Sequence, residues 1–201
     1  MQKAHPLKGI PLMAHLEEDS IRLPIVRLVE RARSGDSDAF EGLYTQYFAE
    51  LCGYLFGLLR NPEDARDVAQ QTFLQAWWKL PGLRDVTRFK HWLYCIARNA
   101  AYDYCRKEHR SYELSWDQLA EERMPLKVSG PEERVAQAEL LFQALATLPL
   151  KLRDCLLLHD IGGFSQREIA EMMDIGVMSV RTYISTARKQ VREHCRQLEH
   201  E

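Results

Sequence analysis

Phe164-Ser-Gln-Arg-Glu-Ile-Ala-Glu-Met-Met-Asp-Ile-Gly-Val-Met-Ser-Val-Arg-Thr-Tyr-Ile-Ser-Thr-Ala-Arg-Lys-Gln-Val-Arg192 reads as a short helix, a tight turn and a longer basic helix, the pattern of a helix-turn-helix. Ser165 is placed to cap the first helix, and Glu168 three residues on completes a capping box in front of the apolar series Ile169, Ala170 and Met173. In the second helix Val180, Ile184, Ala187 and Val191 recur at the interval of one buried stripe. With that stripe turned inward, Met178, Ser179, Arg181, Thr182, Ser185, Arg188, Lys189 and Arg192 fall largely on the outer side. Short polar and cationic side chains there suit base edges and phosphates, so the segment is expected to enter a DNA major groove.

The charge distribution around this segment supports the same reading only locally. The 201-residue chain has a formal charge of -2 and 46% hydrophobic residues, so its overall balance gives no argument for a polyanionic partner. Between Val177 and Leu198, however, Arg181, Arg188, Lys189, Arg192 and Arg196 face a single acid, Glu193. Between Lys79 and Arg110, eight bases stand against Asp85, Asp103 and Glu108. Solvated helix surfaces account for either cluster alone equally well.

Upstream, the chain is helical with sharp punctuation. Residues 1–23 hold Pro6 and Pro11 without periodicity and are expected to form a flexible lead, with Met13 an alternative start. From Pro24 the pattern turns helical and breaks at Ser34-Gly35-Asp36, and a second helix is expected from about Asp38 to Arg60. Asn61 then offers an N-cap, Pro62 fits the first helical position, and Glu63 and Asp64 favour the positive end of the helix dipole. This helix buries Ala65, Val68, Ala69, Thr72, Phe73, Ala76, Trp77 and Leu80, and leaves Asp64, Asp67, Gln70, Gln71, Leu74 and Gln75 opposite. A further helix from about Thr87 to Arg110 buries Phe89, Trp92, Leu93, Ile96, Ala97 and Ala100. Its polar side carries Lys90, Arg98, Asn99, Tyr102, Asp103, Arg106 and Lys107.

Residues 111–133 are acidic and interrupted by Pro125 and Pro131, the composition of a linker. Helices resume over Glu133–Thr147 and Leu150–Ile161. Neither strand alternation nor an internal repeat is visible, and the expected fold is all-α: two small helical domains, 24–110 and 134–201, joined by a flexible linker.

Five scattered cysteines without Cys-x-x-Cys spacing do not form a disulfide framework, which points to a reducing cytoplasm. His91 with Cys95, and Cys105 with His109, each present two zinc-ligand types four residues apart. Both pairs would have to converge to hold a metal, so no metal and no cofactor is expected. No apolar run reaches the roughly twenty residues of a membrane span, and the start has no signal-peptide core, so membrane insertion is not expected.

Asn61-Pro-Glu-Asp-Ala-Arg-Asp-Val-Ala-Gln-Gln-Thr-Phe-Leu-Gln-Ala-Trp77 and Phe89-Lys-His-Trp-Leu-Tyr-Cys-Ile-Ala-Arg-Asn-Ala-Ala-Tyr-Asp-Tyr-Cys-Arg106 resemble region two of the extracytoplasmic-function sigma factors. Leu148-Pro149 through Arg192 resembles their region four. The two matches span about 25–110 and 135–195, in the family's order and with its linker length, which is far more specific than a lone helix-turn-helix. The resemblance implies a dissociable RNA polymerase subunit, not an enzyme, with core polymerase (clamp and flap regions) and promoter DNA as partners.

It further implies that Asp64, Asp67, Gln70, Gln71 and Leu74 meet the polymerase clamp. Lys90, Arg98, Asn99, Asp103, Arg106, Lys107 and Arg110 would engage the downstream element and the separated non-template strand, and the loop Pro81–Arg88 would hold an extruded base. The helix Val177–Glu193 would enter the duplex of the upstream element with Arg181 on a guanine, while Arg188, Lys189 and Arg192 grip phosphates. An anti-sigma factor covering both DNA faces is implied as a further partner.

Some positions depart from the family's pattern: Gln71 replaces a usual glutamate, Tyr183 and Thr186 replace common basic residues, and Gly176 replaces a serine cap. Asp174 takes a turn site often given to glycine and is expected in the left-handed region at a cost of about 1 kcal/mol. The acidic linker has two readings, a thread towards the polymerase active centre or an inert tether. No phosphate-binding Gly-x-x-x-x-Gly-Lys-Ser/Thr loop occurs, so strand opening would draw on binding energy. The competing reading is a regulator that binds duplex DNA by itself with residues 25–110 as a sensor or dimer module, and it leaves the two upstream matches unexplained.

Overall fold

The computed structural model describes residues 18–114 and 140–198. Four helices form the first unit: α1 Glu18–Arg33, α2 Ser37–Leu59, α3 Pro62–Lys79 and α4 Phe89–Leu114, with single 3-10 turns at Leu80–Gly82 and Val86–Arg88 leading into α4. The second unit has α5 over 140–146, α6 Leu150–Asp160, α7 Gln166–Met173 and α8 Val177–Leu198. No strand occurs among the described residues, as an all-α reading requires.

The helix starts follow from local chemistry. The Asp36 carboxylate accepts from Ala39 N at 3.0 Å and opens α2, and the Asn61 side chain accepts from Glu63 N at 2.9 Å and opens α3 with Pro62 at its first position. Ser165 and Glu168 form the reciprocal capping box at α7, the Glu168 carboxylate accepting from Ser165 N at 2.8 Å. Asp174 ends α7 at φ 53°, ψ 51°, the left-handed conformation expected of it.

Two boundaries differ from the sequence reading. α1 begins at Glu18, so residues 18–23 are helical rather than part of a flexible lead. Pro24 removes one rung of the helix without ending it. α4 continues past Arg110 to Leu114, because nothing between them, neither Gly nor Pro, stops a helix already nucleated and packed. Most of the 111–133 linker and the expected helix start at Glu133 lie outside the described residues.

Core positions follow the stripes with a few exceptions. Ala65, Val68, Ala69, Thr72, Phe73 and Ala76 are buried from α3, Leu80 from the 3-10 turn that follows it, and Phe89, Leu93, Ile96 and Ala97 from α4. Trp77, Trp92 and Ala100 are only half-buried, whereas Tyr94 and Ala101, not anticipated, are fully buried. Tyr94 is drawn in because its ring meets Phe164 of the second unit at 4.9 Å and its hydroxyl reaches Glu50 at 2.9 Å. In α7 it is Met172 that is buried and Met173 that is partly exposed. The stripe Val180, Ile184, Ala187, Val191 is buried as spaced.

The two units do not hang apart. α2 packs on α6 and α4 on α7, so one buried cluster runs through both. Gly57 permits a close approach there: a Cβ at this position would lie 2.7 Å from Leu157 Cδ2.

Candidate polymerase and nucleic-acid interfaces

Three helix faces carry the expected functional residues. On α3, burial of the Ala65-Val68-Ala69-Thr72-Phe73-Ala76 side turns Asp67, Gln70, Gln71 and Leu74 to solvent, with Asp64 half-buried at the start. Leu74 is 63% exposed. Four residues on, Trp78 is 79% exposed, which makes an apolar pair at the end of a polar strip. Trp78 escaped the sequence reading because it follows a core tryptophan. Its spacing from Asp64, Asp67, Gln71 and Leu74 by alternating steps of three and four places it on their face.

On α4 the expected set divides. Asn99, Asp103, Arg106 and Lys107 are exposed, and Arg98, Asn99, Tyr102, Asp103 and Arg106 line an open hollow of about 480 Å³. Arg106 pairs with Asp103 one turn earlier, so Asp103 orients an arginine. Lys90 is half-buried, with Nζ 2.8 Å from Glu50 and 5.6 Å from the centre of the Phe164 ring. Arg98 departs furthest from an open DNA face: its Nε donates to Asp154 of α6 at 2.7 Å and only 16% of its side chain is exposed. Burial alone would lower the Arg98 pKa, but the Asp154 charge and hydrogen bond outweigh it, and the guanidinium is held above its ordinary value. The side chain of Arg110 lies outside the described residues. In the loop before α4, Asp85 accepts from Thr87 N at 3.0 Å and from its hydroxyl at 2.6 Å, which fixes the turn. Arg84 and Thr87 are exposed, and Arg88 reaches Glu171 of α7 at 2.5 Å.

On α8 the outer face is largely open. Met178 is 71% exposed, and Arg181, Thr182, Ser185 and Lys189 are exposed. Arg181 makes no ion pair or hydrogen bond among the described residues. The Thr182 hydroxyl donates to the Met178 carbonyl at 2.9 Å, and Lys189 lies 3.8 Å from Glu193. Ser179 and Arg192 are half-buried. Arg188 is bound to Asp160 at 2.6 Å beside His159, so it braces α8 against α6 and is less free for a phosphate than its position in the pattern implies.

Cys95 Sγ lies 3.8 Å from His91 Nδ1, but no group of three or more His, Cys, Asp or Glu side chains converges among the described residues. The side chain of His109 lies outside them. No described helix is long and apolar enough to cross a membrane.

Comparison with known proteins accounts for both halves of the chain. Residues 43–111 match Sigma-70 region 2, and residues 138–191 match Sigma-70, region 4. The chain is 32% identical over 174 residues to the ECF RNA polymerase sigma-E factor of Haemophilus influenzae, covering 82% of this chain and 91% of that protein. To the ECF RNA polymerase sigma factor SigW of Bacillus subtilis it is 29% identical over 187 residues, covering 89% of this chain and all of that protein. Among solved structures it resembles CnrH, determined in complex with the cytosolic domain of CnrY, at 25% identity and a TM-score of 0.63 over 85% of this chain and 96% of that one. The fold is shared as well by the sigma factor RpoE of Bartonella quintana, at 23% identity and a TM-score of 0.67 over 78% of this chain and 96% of that one. The match over α2–α4 explains the segments that a stand-alone DNA-binding regulator would leave without a role. The chain belongs to the ECF RNA polymerase sigma factors, transcription initiation factors that direct core polymerase to promoters and are not enzymes.

Proposed function

We propose that the three faces divide the work of initiation in the cytoplasm. α8 enters the major groove of the upstream promoter element, and Arg181 forms the bidentate contact to guanine there. α4 engages the downstream element and the displaced non-template strand through Asn99, Arg106 and Lys107, joined by Lys90 and Arg98. α3 docks on the polymerase clamp through Asp64, Asp67, Gln70, Gln71 and Leu74, and Trp78 extends that surface. The observation that carries the reading is Arg181: an exposed guanidinium, without an ion pair or hydrogen bond among the described residues, between short polar side chains on the outer face of a helix whose inner stripe is buried.

A regulator of the anti-sigma type is the further partner, a reading supported by the fold shared with RpoE of Bartonella quintana, which was determined in complex with the anti-sigma factor NepR. Strand separation costs a few kcal/mol per unstacked step, and capture of the exposed bases against a cationic helix offsets it without nucleotide hydrolysis.

The decisive experiment mixes the chain with core RNA polymerase and maps transcript starts on genomic DNA. A discrete set of starts sharing two spaced elements is expected, and starts no different from core polymerase alone would refute the reading. Asp67→Arg places a cation on the exposed α3 face and is expected to weaken core binding by about tenfold, the scale of a charge reversal at an interface rim. Unaltered affinity for core would remove α3 from the contact.

A further inference from the structure

Val177 and Met178 are large apolar side chains next to each other in the first turn of α8, 42% and 71% exposed, where a helix-turn-helix brings its second helix onto base edges. The inner stripe of the helix begins only at Val180, so neither is part of it. The rest of the stretch narrows what such a surface can read. In the major groove Arg or Lys selects guanine, Asn or Gln adenine, Asp or Glu the cytosine amino group, and apolar side chains the C5-methyl group of thymine. From Val177 to Ser185 the chain holds Arg181 but no Asn, Gln, Asp or Glu. The Thr182 hydroxyl has its one proton engaged by the Met178 carbonyl at 2.9 Å, and Ser179 is half-buried. Guanine and thymine are therefore the bases for which this face has selective chemistry.

Met178 lies one turn before Arg181 and on the same face of α8. Their separation along the helix axis is about 4.5 Å and a base step is about 3.4 Å, so the two side chains address neighbouring base pairs. We propose that Met178 is a specificity-determining residue that covers the C5-methyl group of a thymine within about two base pairs of the guanine held by Arg181, with Val177 at the edge of the contact. The inference rests on the reading of α8 as the helix that enters the upstream element, and adds to it the second base that this helix selects. The unbranched thioether side chain adapts its rotamers to a methyl group projecting into the groove, and the contact removes both apolar surfaces from water.

The test uses the full chain bound to core RNA polymerase, on a promoter fragment whose start has been mapped with the same holoenzyme. Each thymine of the upstream element is replaced in turn by deoxyuridine, which removes only the C5-methyl group and leaves every hydrogen-bonding edge in place. For the wild type, one replacement near the guanine is expected to weaken promoter binding about three- to fivefold, the scale of one buried methyl group. Met178→Ala alters an exposed position and keeps a strong helix former, so the fold is retained. It is expected to bind the thymine promoter more weakly by a similar factor and to be indifferent to that replacement. An upstream element with no methyl-sensitive thymine near the guanine, or a deoxyuridine penalty as large in Met178→Ala as in the wild type, would overturn the proposal. The effect of Arg181→Ala on start-site selectivity reports separately on α8 as the reading helix: it persists if only the methyl contact fails, and is absent if α8 does not read the element.

Discussion

α4 and α8 present the same signal in sequence, a basic outer face on an amphipathic helix, and meet opposite fates in the fold. On α8, Arg181 is exposed and has no ion pair or hydrogen bond among the described residues. On α4, Arg98 is sequestered against a carboxylate fifty-six residues away. The pattern of apolar and cationic residues fixes which side of a helix faces the core of its own unit, but it carries no information about a second unit arriving on the outer side. The charge on α8 is therefore available to a ligand in the folded chain, whereas part of the charge on α4 becomes available only after a tertiary contact is given up.

The largest expected effect asks whether the two units behave as one body. Ile184→Ala removes a buried side chain from the α8 stripe and should cost about 2–5 kcal/mol. Trp77, Trp78 and Trp92 all belong to the first unit and no tryptophan follows Trp116, so fluorescence does not see the second. In this variant the circular-dichroism melt should begin well below the fluorescence melt. Coincident transitions, both displaced, would show that the units unfold together and that the comparison between them is one of surface only.

Arg181→Ala tests the open member of the pair. It should remove about 1–3 kcal/mol of discrimination, a loss of ~5- to 150-fold in preference for the cognate upstream element in initiation assays. Unchanged start-site selectivity would move base reading elsewhere on α8.

Arg153, next to Asp154 on α6, sharpens the contrast on the closed side. Its Nε and Nη1 are buried without a hydrogen-bond partner among the described residues, and burial first, then the Arg60 charge, push its pKa down. Adjacent residues thus hold a fully satisfied charge and a poorly satisfied one. Arg153→Met keeps the length and removes the charge, and a stability gain of about 1 kcal/mol is expected in denaturant titrations. A loss of similar size would indicate that the guanidinium is satisfied after all.

The smallest effect is a pH dependence at the same junction. Burial first, and the Arg88 guanidinium second, hold the His91 imidazole below its usual 6.5, so the fold prefers the neutral ring. A depressed native value means that this contribution is complete above the unfolded value and disappears as the pH falls through the native one. Wild-type stability should fall between pH 7 and pH 5, and His91→Phe should flatten part of that slope. An unchanged slope would assign it to other groups.

The sequence by itself determined what is local. Asn61 with Pro62, the Ser165 and Glu168 box, the left-handed Asp174 and the Val180-Ile184-Ala187-Val191 stripe are settled within a few residues of chain, because caps, turns and helical periodicity are short-range physics. The family assignment was legible for the same reason, since its motifs are runs of such residues. Only the tertiary structure decided the burial of Tyr94 and Ala101, the pairing of Arg188 with Asp160, the exposure of Trp78 and the sequestration of Arg98. Each depends on which surface arrives from a distant part of the chain, and desolvation of a charge or an aromatic ring is set by that neighbour rather than by sequence spacing.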